Sequence, residues 1–211
     1  MRWSLIPRNV CEVVVPPRVP KSEIKPLDAR QAKKLLDTAK DTQPGFYALY
    51  VLAVTTGMRN GEILGLQWRD IDLDAGTLKV RRTVFNGVIS TPKTARSKRG
   101  IRLPKMAVDA LRQHPRSSEW VFSSKNGTSL SVHNLHNRSW KPLLRDAGLP
   151  DIRFHDLRHT CATLLLSKGV HPKLVQELLG HSSIEITLDT YSHVLPSMGD
   201  GVATAMDDLL G

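Results

Sequence analysis

The sequence predicts an α+β fold that is mainly α-helical: a helical domain with a small antiparallel β-sheet insertion. Three observations predict it. Apolar residues recur at helical spacing, or fill whole helical turns, before residue 70 and again after residue 104. Between Asp70 and Leu103 the period changes to two, with Leu78 and Val80, then Ile101 and Leu103, alternating with cations. Turn signals, Asp74-Ala75-Gly76 and Asn86-Gly87, punctuate that same stretch. At 211 residues the chain has room for one large domain, or one domain with a short appendage, and for a sizeable core.

Taken in order, residues 1–15, with Trp3, Leu5 and Ile6, are too few to fold alone and read as the remnant of something larger. Residues 16–26, from Pro16 and Pro17 to Lys25 and Pro26, are Pro-rich and basic and predict an extended linker. The main domain begins near Leu27 and runs to about residue 195, with 196–211 as a tail. Asp28 and Gln31 form a capping-box pattern that opens a helix through about Ala39. Residues 45–56 are mostly apolar and aromatic, so they predict a buried helix ending at Gly57. A short helix from about Asn60 to Trp68 follows, then the sheet with one basic face.

Helices resume with Pro104 in a first-turn position and extend to about His114. One more covers Ser131 to Asp146 and stops at Gly148. Three others are expected at about 156–168, 172–179 and 183–193, the last capped by Ser182 with Glu185. Residues 202–210 complete the list as a short terminal helix.

Charge narrows the function. The formal net charge is +10, and its distribution says more than its total. Between Asp74 and Asp109 there is no acid, yet Lys79, Arg81, Arg82, Lys93, Arg96, Lys98, Arg99, Arg102 and Lys105 all fall there. Such an unbalanced run fits a phosphate backbone, which acids would repel. Arg81, Arg82, Arg96, Lys98, Arg99 and Arg102 are therefore candidate DNA contacts. Cys11 and Cys161 are too few and too far apart to suggest a disulfide framework. No stretch approaches the length of a membrane span, and no secretory pattern opens the chain, so a cytoplasmic, nucleoid-associated protein without membrane contact is expected.

Five short segments each supply polar groups suited to phosphate chemistry. They are Thr56-Gly57-Met58-Arg59-Asn60-Gly61-Glu62, Thr91-Pro92-Lys93-Thr94, His155-Asp156-Leu157-Arg158-His159, Leu179-Gly180-His181-Ser182 and Asp189-Thr190-Tyr191. Tyr191 shares a helix face with Ile184, Thr187 and Leu188, so taken alone it reads equally as a core tyrosine. As a nucleophile it needs a base, because an ordinary phenol is only about one part in a thousand ionised at neutral pH. Arg59 and Arg158 are candidate clamps for two non-bridging phosphate oxygens, with Glu62 placed to hold Arg59. His155 is a candidate proton acceptor for the tyrosine, and His181 a donor to the phosphate. Lys93 is a candidate general acid for the departing 5′ oxygen, with Lys98 as the alternative should the loop register differ. His155-Asp156-Leu157-Arg158-His159 superficially resembles a zinc-protease helix. Asp156 is short for the general-base position, however, and Arg158 sits between the would-be ligands, so no metal is expected.

Together these motifs resemble the catalytic domain of the tyrosine recombinase (phage integrase) family. Thr56-Gly57-Met58-Arg59-Asn60-Gly61-Glu62-Ile63-Leu64 resembles the family's first arginine motif and His155-Asp156-Leu157-Arg158-His159-Thr160 its second. Leu178-Leu179-Gly180-His181-Ser182 and Thr190-Tyr191-Ser192-His193 resemble the motifs that end in the nucleophile, and Lys93 falls where the family's β-hairpin lysine would be. The resemblance implies that Tyr191 attacks a scissile phosphate, forming a 3′-phosphotyrosine and freeing a 5′ hydroxyl, with no cofactor. It implies double-stranded DNA as partner, a tetramer on two DNA sites and a monomer without DNA. It also identifies residues 1–15 with the end of an upstream core-binding domain. Two other functions remain open at this point: nicking and religation like a type IB topoisomerase, and a catalytically idle DNA-binding module.

Overall fold

The computed structural model describes residue 14 and residues 24–85, 87–90, 99–192 and 206–210. Helix α1, Ala29–Thr42, opens on the expected capping box: the Gln31 amide donates to Asp28 Oδ1 at 2.7 Å and the Asp28 amide to Gln31 Oε1 at 3.0 Å. It buries Ala32, Leu35, Leu36 and Ala39 against α2, Pro44–Thr56. Leu49, Tyr50, Val51 and Leu52 of α2 are all fully buried, which makes this helix the centre of the core. Around it pack Trp140 and Phe154, their rings tilted or edge-on to Tyr50 or to each other, and the Tyr50 hydroxyl shares a 2.6 Å hydrogen bond with Ser139.

Helix α3, Asn60–Leu64, is shorter than expected. Residues beyond Gly65 leave the helix because their backbone finds partners elsewhere. The Val121 amide donates to Leu66 O, the Trp68 amide donates to Glu119 O, and Gln67 bridges to Trp120. Residues 68–70 then form a 3-10 turn closed by the Gln67 amide on Asp70 Oδ2 at 3.1 Å. Tertiary pairing here overrides helix propensity.

The β region forms two sheets where one was expected. Strands β1 (Ile71–Asp72), β2 (Thr77–Lys79) and β5 (Gly100–Arg102) make a three-stranded antiparallel sheet in the order β1-β2-β5. Leu78 and Ile101 pair across it and are buried, while Lys79 and Arg102 face solvent, so the basic face exists there. Strands β3 (Thr83–Phe85) and β4 (Val88–Ser90) form a separate hairpin in which Phe85 pairs with Val88 and both are exposed.

Gly61 lets that hairpin dock on α3. A Cβ at Gly61 would run into the Thr83 hydroxyl and lie 2.8 Å from the Val84 carbonyl, a backbone atom that cannot swing aside. Gly61→Ala is therefore expected to lower unfolding free energy by about 1–3 kcal/mol. Gly45→Ala, inside α2 with open space at the same range, should instead stabilise by about 0.4–1 kcal/mol. Urea unfolding of both variants checks the contrast, and equal effects would show that close docking of the hairpin is not the cause.

Helix α4, Lys105–Gln113, has Pro104 as its N-cap and buries Ala107, Ala110 and Leu111. The helix expected over Ser131 to Asp146 is present with a wide turn inside it: α5 (Val132–Leu135), a π-helical segment (His136–Trp140) and α6 (Lys141–Asp146). Three further helices follow, α7 (Asp156–Ser167), α8 (Pro172–Leu179) and α9 (Ile184–Tyr191). Ala162, Leu166, Val175, Leu179 and Tyr191 form a second buried cluster among them. Helix α9 is capped at Ser183, not Ser182, and Ser183 makes no side-chain cap to the backbone. Residues 206–210 are helical, within the span expected for the tail. Among the described residues no helix is long and apolar enough to cross a membrane.

Candidate active site

Two arginines frame the site from different helix starts. Arg59 is the N-cap of α3, where its Nη1 donates to Glu62 Oε1 at 2.9 Å and its amide to Glu62 Oε2 at 3.0 Å. Its side chain remains 41% exposed. Arg158, on the first turn of α7, is 3% exposed, and its Nη1 donates to the Gly57 carbonyl at 2.8 Å. The other terminal nitrogen, Nη2, is buried and has no hydrogen-bond partner among the described residues. An unpartnered buried N–H carries a desolvation cost that an anion seated there would relieve. Burial, then the neighbouring charge of Arg59, brings the Arg158 guanidinium down to about 9.

Tyr191 is 1% exposed, and its hydroxyl shares a 2.7 Å hydrogen bond with Nδ1 of His159. Burial pushes the phenol up to about 12, with the Arg158 charge pulling the other way. At neutral pH that leaves about one molecule in 10⁵ ionised. The phenol therefore needs a base acting as it reacts, and the side chain in contact is His159, held down to about 4 by desolvation and by His155. A neutral imidazole accepts a proton.

His155, expected as the proton acceptor, is not the imidazole that contacts the phenol here. It sits at the N-cap of α7, exposed, with its ring edge-on to His159 at 5.2 Å between centroids, and Tyr191 hydrogen-bonds to His159 instead. Desolvation and then Arg158 lower its pKa. The periodicity that could have found His159 was visible in the sequence. It lies four residues after His155 and so on the same helix face, but there it carries weight only as a metal ligand. Asp156 is engaged by Arg153, whose Nη2 donates to Oδ1 at 2.8 Å.

His181 follows the end of α8 and shares a 2.8 Å hydrogen bond with Thr187 through Nδ1. Desolvation, then Arg158 and Arg59, bring it down to about 4. His155, His181 and Tyr191 each feel the charge of Arg158, and Arg158 that of Arg59, so these five share one electrostatic neighbourhood. Lys93, Arg96 and Lys98 lie outside the described residues.

Two candidate DNA contacts turn inward. Arg82, its side chain 13% exposed, ion-pairs with Asp70 and donates to the Gly65 carbonyl at 3.1 Å. Arg99, 8% exposed, ion-pairs with Glu62 at 3.0 Å. Both were expected as phosphate contacts and are instead engaged within the protein: each acid that holds them lies upstream of the acid-free stretch, where a local charge count does not see it. Arg81 and Arg102 remain outward, Arg81 with a 3.4 Å ion pair to Asp70. Glu62 is 3% exposed. Burial pushes its carboxyl up, but Arg99 and Arg59 outweigh that and leave it below its ordinary range.

Stability should respond to the two depressed histidines. Their folded pKa of about 4 lies below the unfolded 6.5, so between those values the unfolded chain binds more protons and stability falls as pH drops. His155, Asp156, Arg158, Arg153 and Tyr191 surround His159; Arg158, Arg59, His159 and Arg99 surround His181. The melting midpoint is expected to decline from pH 6.5 to 4, and less steeply in a His159→Gln/His181→Gln variant. Parallel curves for the two proteins would show that these imidazoles are not buried neutral.

Comparison with known proteins gives a consistent result. The pattern of the phage integrase family matches residues 25–198. A tyrosine recombinase XerC-like protein of Caldanaerobacter subterraneus subsp. tengcongensis is 32% identical over 218 residues, covering 89% of this chain and 55% of that protein. The ICEBs1 integrase of Bacillus subtilis is 30% identical over 223 residues, covering 98% and 61%. The chain thus spans little more than half the length of these relatives. Among solved structures, the Tn1549 transposon integrase in complex with a circular intermediate DNA superposes with a TM-score of 0.77 at 22% identity, covering 90% of this chain and 67% of that one.

Proposed function

This chain belongs to the phage integrase family, and from that premise we propose that residues 27–195 are the catalytic domain of a site-specific DNA recombinase. The observation that carries the reading is a buried tyrosine hydroxyl hydrogen-bonded to an imidazole, with a buried guanidinium nitrogen that has no partner among the described residues. That arrangement suits attack on a phosphodiester.

In the proposed step, Tyr191 attacks phosphorus at a scissile phosphate of double-stranded DNA while His159 takes the phenolic proton. The bond from phosphorus to the 5′ oxygen breaks as the bond to the tyrosine oxygen forms. Charge developing on the two non-bridging oxygens meets Arg59 and the free Nη2 of Arg158. His181 and His155 hydrogen-bond the phosphate from the end of α8 and the start of α7. Lys93 protonates the departing 5′ oxygen. The product is a 3′-phosphotyrosine with a free 5′ hydroxyl, and a 5′ hydroxyl from another strand reverses the step. One phosphoester replaces another, so the exchange is close to balanced in energy and requires no cofactor. Arg81, Arg102 and the cations of the 91–98 segment follow the DNA backbone. The chain assembles as a tetramer on two DNA sites and is a monomer without them.

Covalent capture tests this. A randomised pool of nicked duplexes, designed so that the cleaved 5′ fragment diffuses away, traps the intermediate. Adducts joined through the DNA 3′ end, each with a new 5′ hydroxyl open to enzymatic phosphorylation, are expected. Binding of the pool without any adduct would reduce the chain to a DNA-binding module.

A further inference from the structure

Glu62 is held by two guanidinium groups, and only one of them belongs to the phosphate-binding set. Arg59 reaches Oε1 through a single nitrogen. Arg99 grips both carboxylate oxygens, Nη2 to Oε2 at 3.0 Å and Nη1 to Oε1 at 3.3 Å. Its remaining nitrogen, Nε, donates to the Leu178 carbonyl at 2.7 Å. Leu178 is the next-to-last residue of α8. Gly180, just beyond, turns at φ +67° so close to the Arg99 head that a Cβ there would meet Nη1 at 3.0 Å. His181 follows directly. The Arg99 main chain is itself fixed, because its carbonyl accepts from the Val80 amide at 2.9 Å as the sheet enters β5. One buried side chain thus joins the helix start bearing Arg59, the helix end preceding His181, and the sheet.

Resting on the recombinase reading of this site, we propose that Arg99 is a positioning residue for strand cleavage: it satisfies Glu62 so that Arg59 stays available to phosphate, and it fixes the turn that carries His181. The physical reason is competition. A buried carboxylate with one guanidinium partner holds that partner tightly and rivals a phosphate for it. With Arg99 occupying both oxygens, Glu62 orients Arg59 through one nitrogen and leaves the rest of its donors for phosphate. A lysine in place of Arg99 supplies the charge but not three coplanar donors, so it cannot hold the carboxylate and the Leu178 carbonyl together.

The test measures single-turnover cleavage at saturating protein on the randomised nicked-duplex pool, with Kd for the same pool at several salt concentrations and the melting midpoint. It compares the chain with Arg99→Gln, Arg99→Lys, Glu62→Gln and the Arg99→Gln/Glu62→Gln double variant. Arg99→Gln is expected to slow cleavage about 100-fold, as displacement of reacting groups does, with Kd and salt slope unchanged. Arg99→Lys should fold like the parent yet remain at least about 10-fold slow. The double variant should be slower than Glu62→Gln by less than the full factor seen for Arg99→Gln alone, since the Glu62 contact is shared and the Leu178 contact is not. Cleavage at the parent rate with weaker binding and a flatter salt slope would make Arg99 a backbone contact and overturn the proposal, as would full additivity in the double variant. If Arg99→Gln does not fold, Arg99→Lys decides, and a parental rate there overturns it. A parent chain that forms no adduct takes the recombinase reading down too, which separates the two failures.

Discussion

Tyr191→Phe is expected to abolish covalent capture of DNA while leaving DNA affinity unchanged. The ring that fills the second buried cluster stays in place, so packing among α7, α8 and α9 is retained. What is lost is the one oxygen able to attack, and with it the 2.7 Å bond to His159. Leaving that imidazole nitrogen unpaired costs about 1 kcal/mol, enough to move the melting midpoint slightly and not to unfold the domain. Gel analysis of the nicked-duplex pool should show no adduct at any time point. Adduct at the parental rate would mean that Tyr191 is only the core tyrosine its helix face allows.

Arg158→Ala is expected to slow cleavage by about 100- to 1,000-fold, the usual loss when a preorganised donor to a developing oxyanion is removed. Its Nη2 makes no bond among the described residues, so a phosphate seated there supplies the partner. Rate should therefore fall far more than affinity, because the added negative charge exists in the transition state. Arg158 also holds the Gly57 carbonyl, so alanine will destabilise as well, and Arg158→Lys serves as the companion variant. Lysine keeps the charge while losing the fork, and a slow but folded protein is the expected result. Equal losses of rate and affinity in both variants would assign Arg158 to holding DNA rather than to chemistry.

Much of this arrangement was legible in the chain because the relevant physics is local. The capping box on α1, the stop at Gly57 and the alternation through Leu78 and Ile101 each depend on residues a few positions apart. The same holds for the grouping of Arg59 with Glu62. What the chain did not reveal depends on distant partners. Helix α3 stops early because residues 66–68 pair with residues 119–121. Arg82 and Arg99 look like free cations because their acids, Asp70 and Glu62, lie before the basic stretch. Helical spacing puts His155 and His159 on one face of α7, and which of them meets Tyr191 depends on where α9 packs along that face. The cap at Ser183 rather than Ser182 is a one-residue shift of the kind that pattern reading does not resolve.

In the proposed reaction this chain links itself to DNA through the Tyr191 oxygen. Proteolysis of the covalent adduct, nuclease trimming and tandem mass spectrometry read that bond directly. A nucleotide phosphate is expected on the peptide containing Thr190-Tyr191-Ser192, with fragment ions placing the mass on the tyrosine. The same mass on a serine, a histidine or another tyrosine, or adduct persisting in Tyr191→Phe, would contradict it.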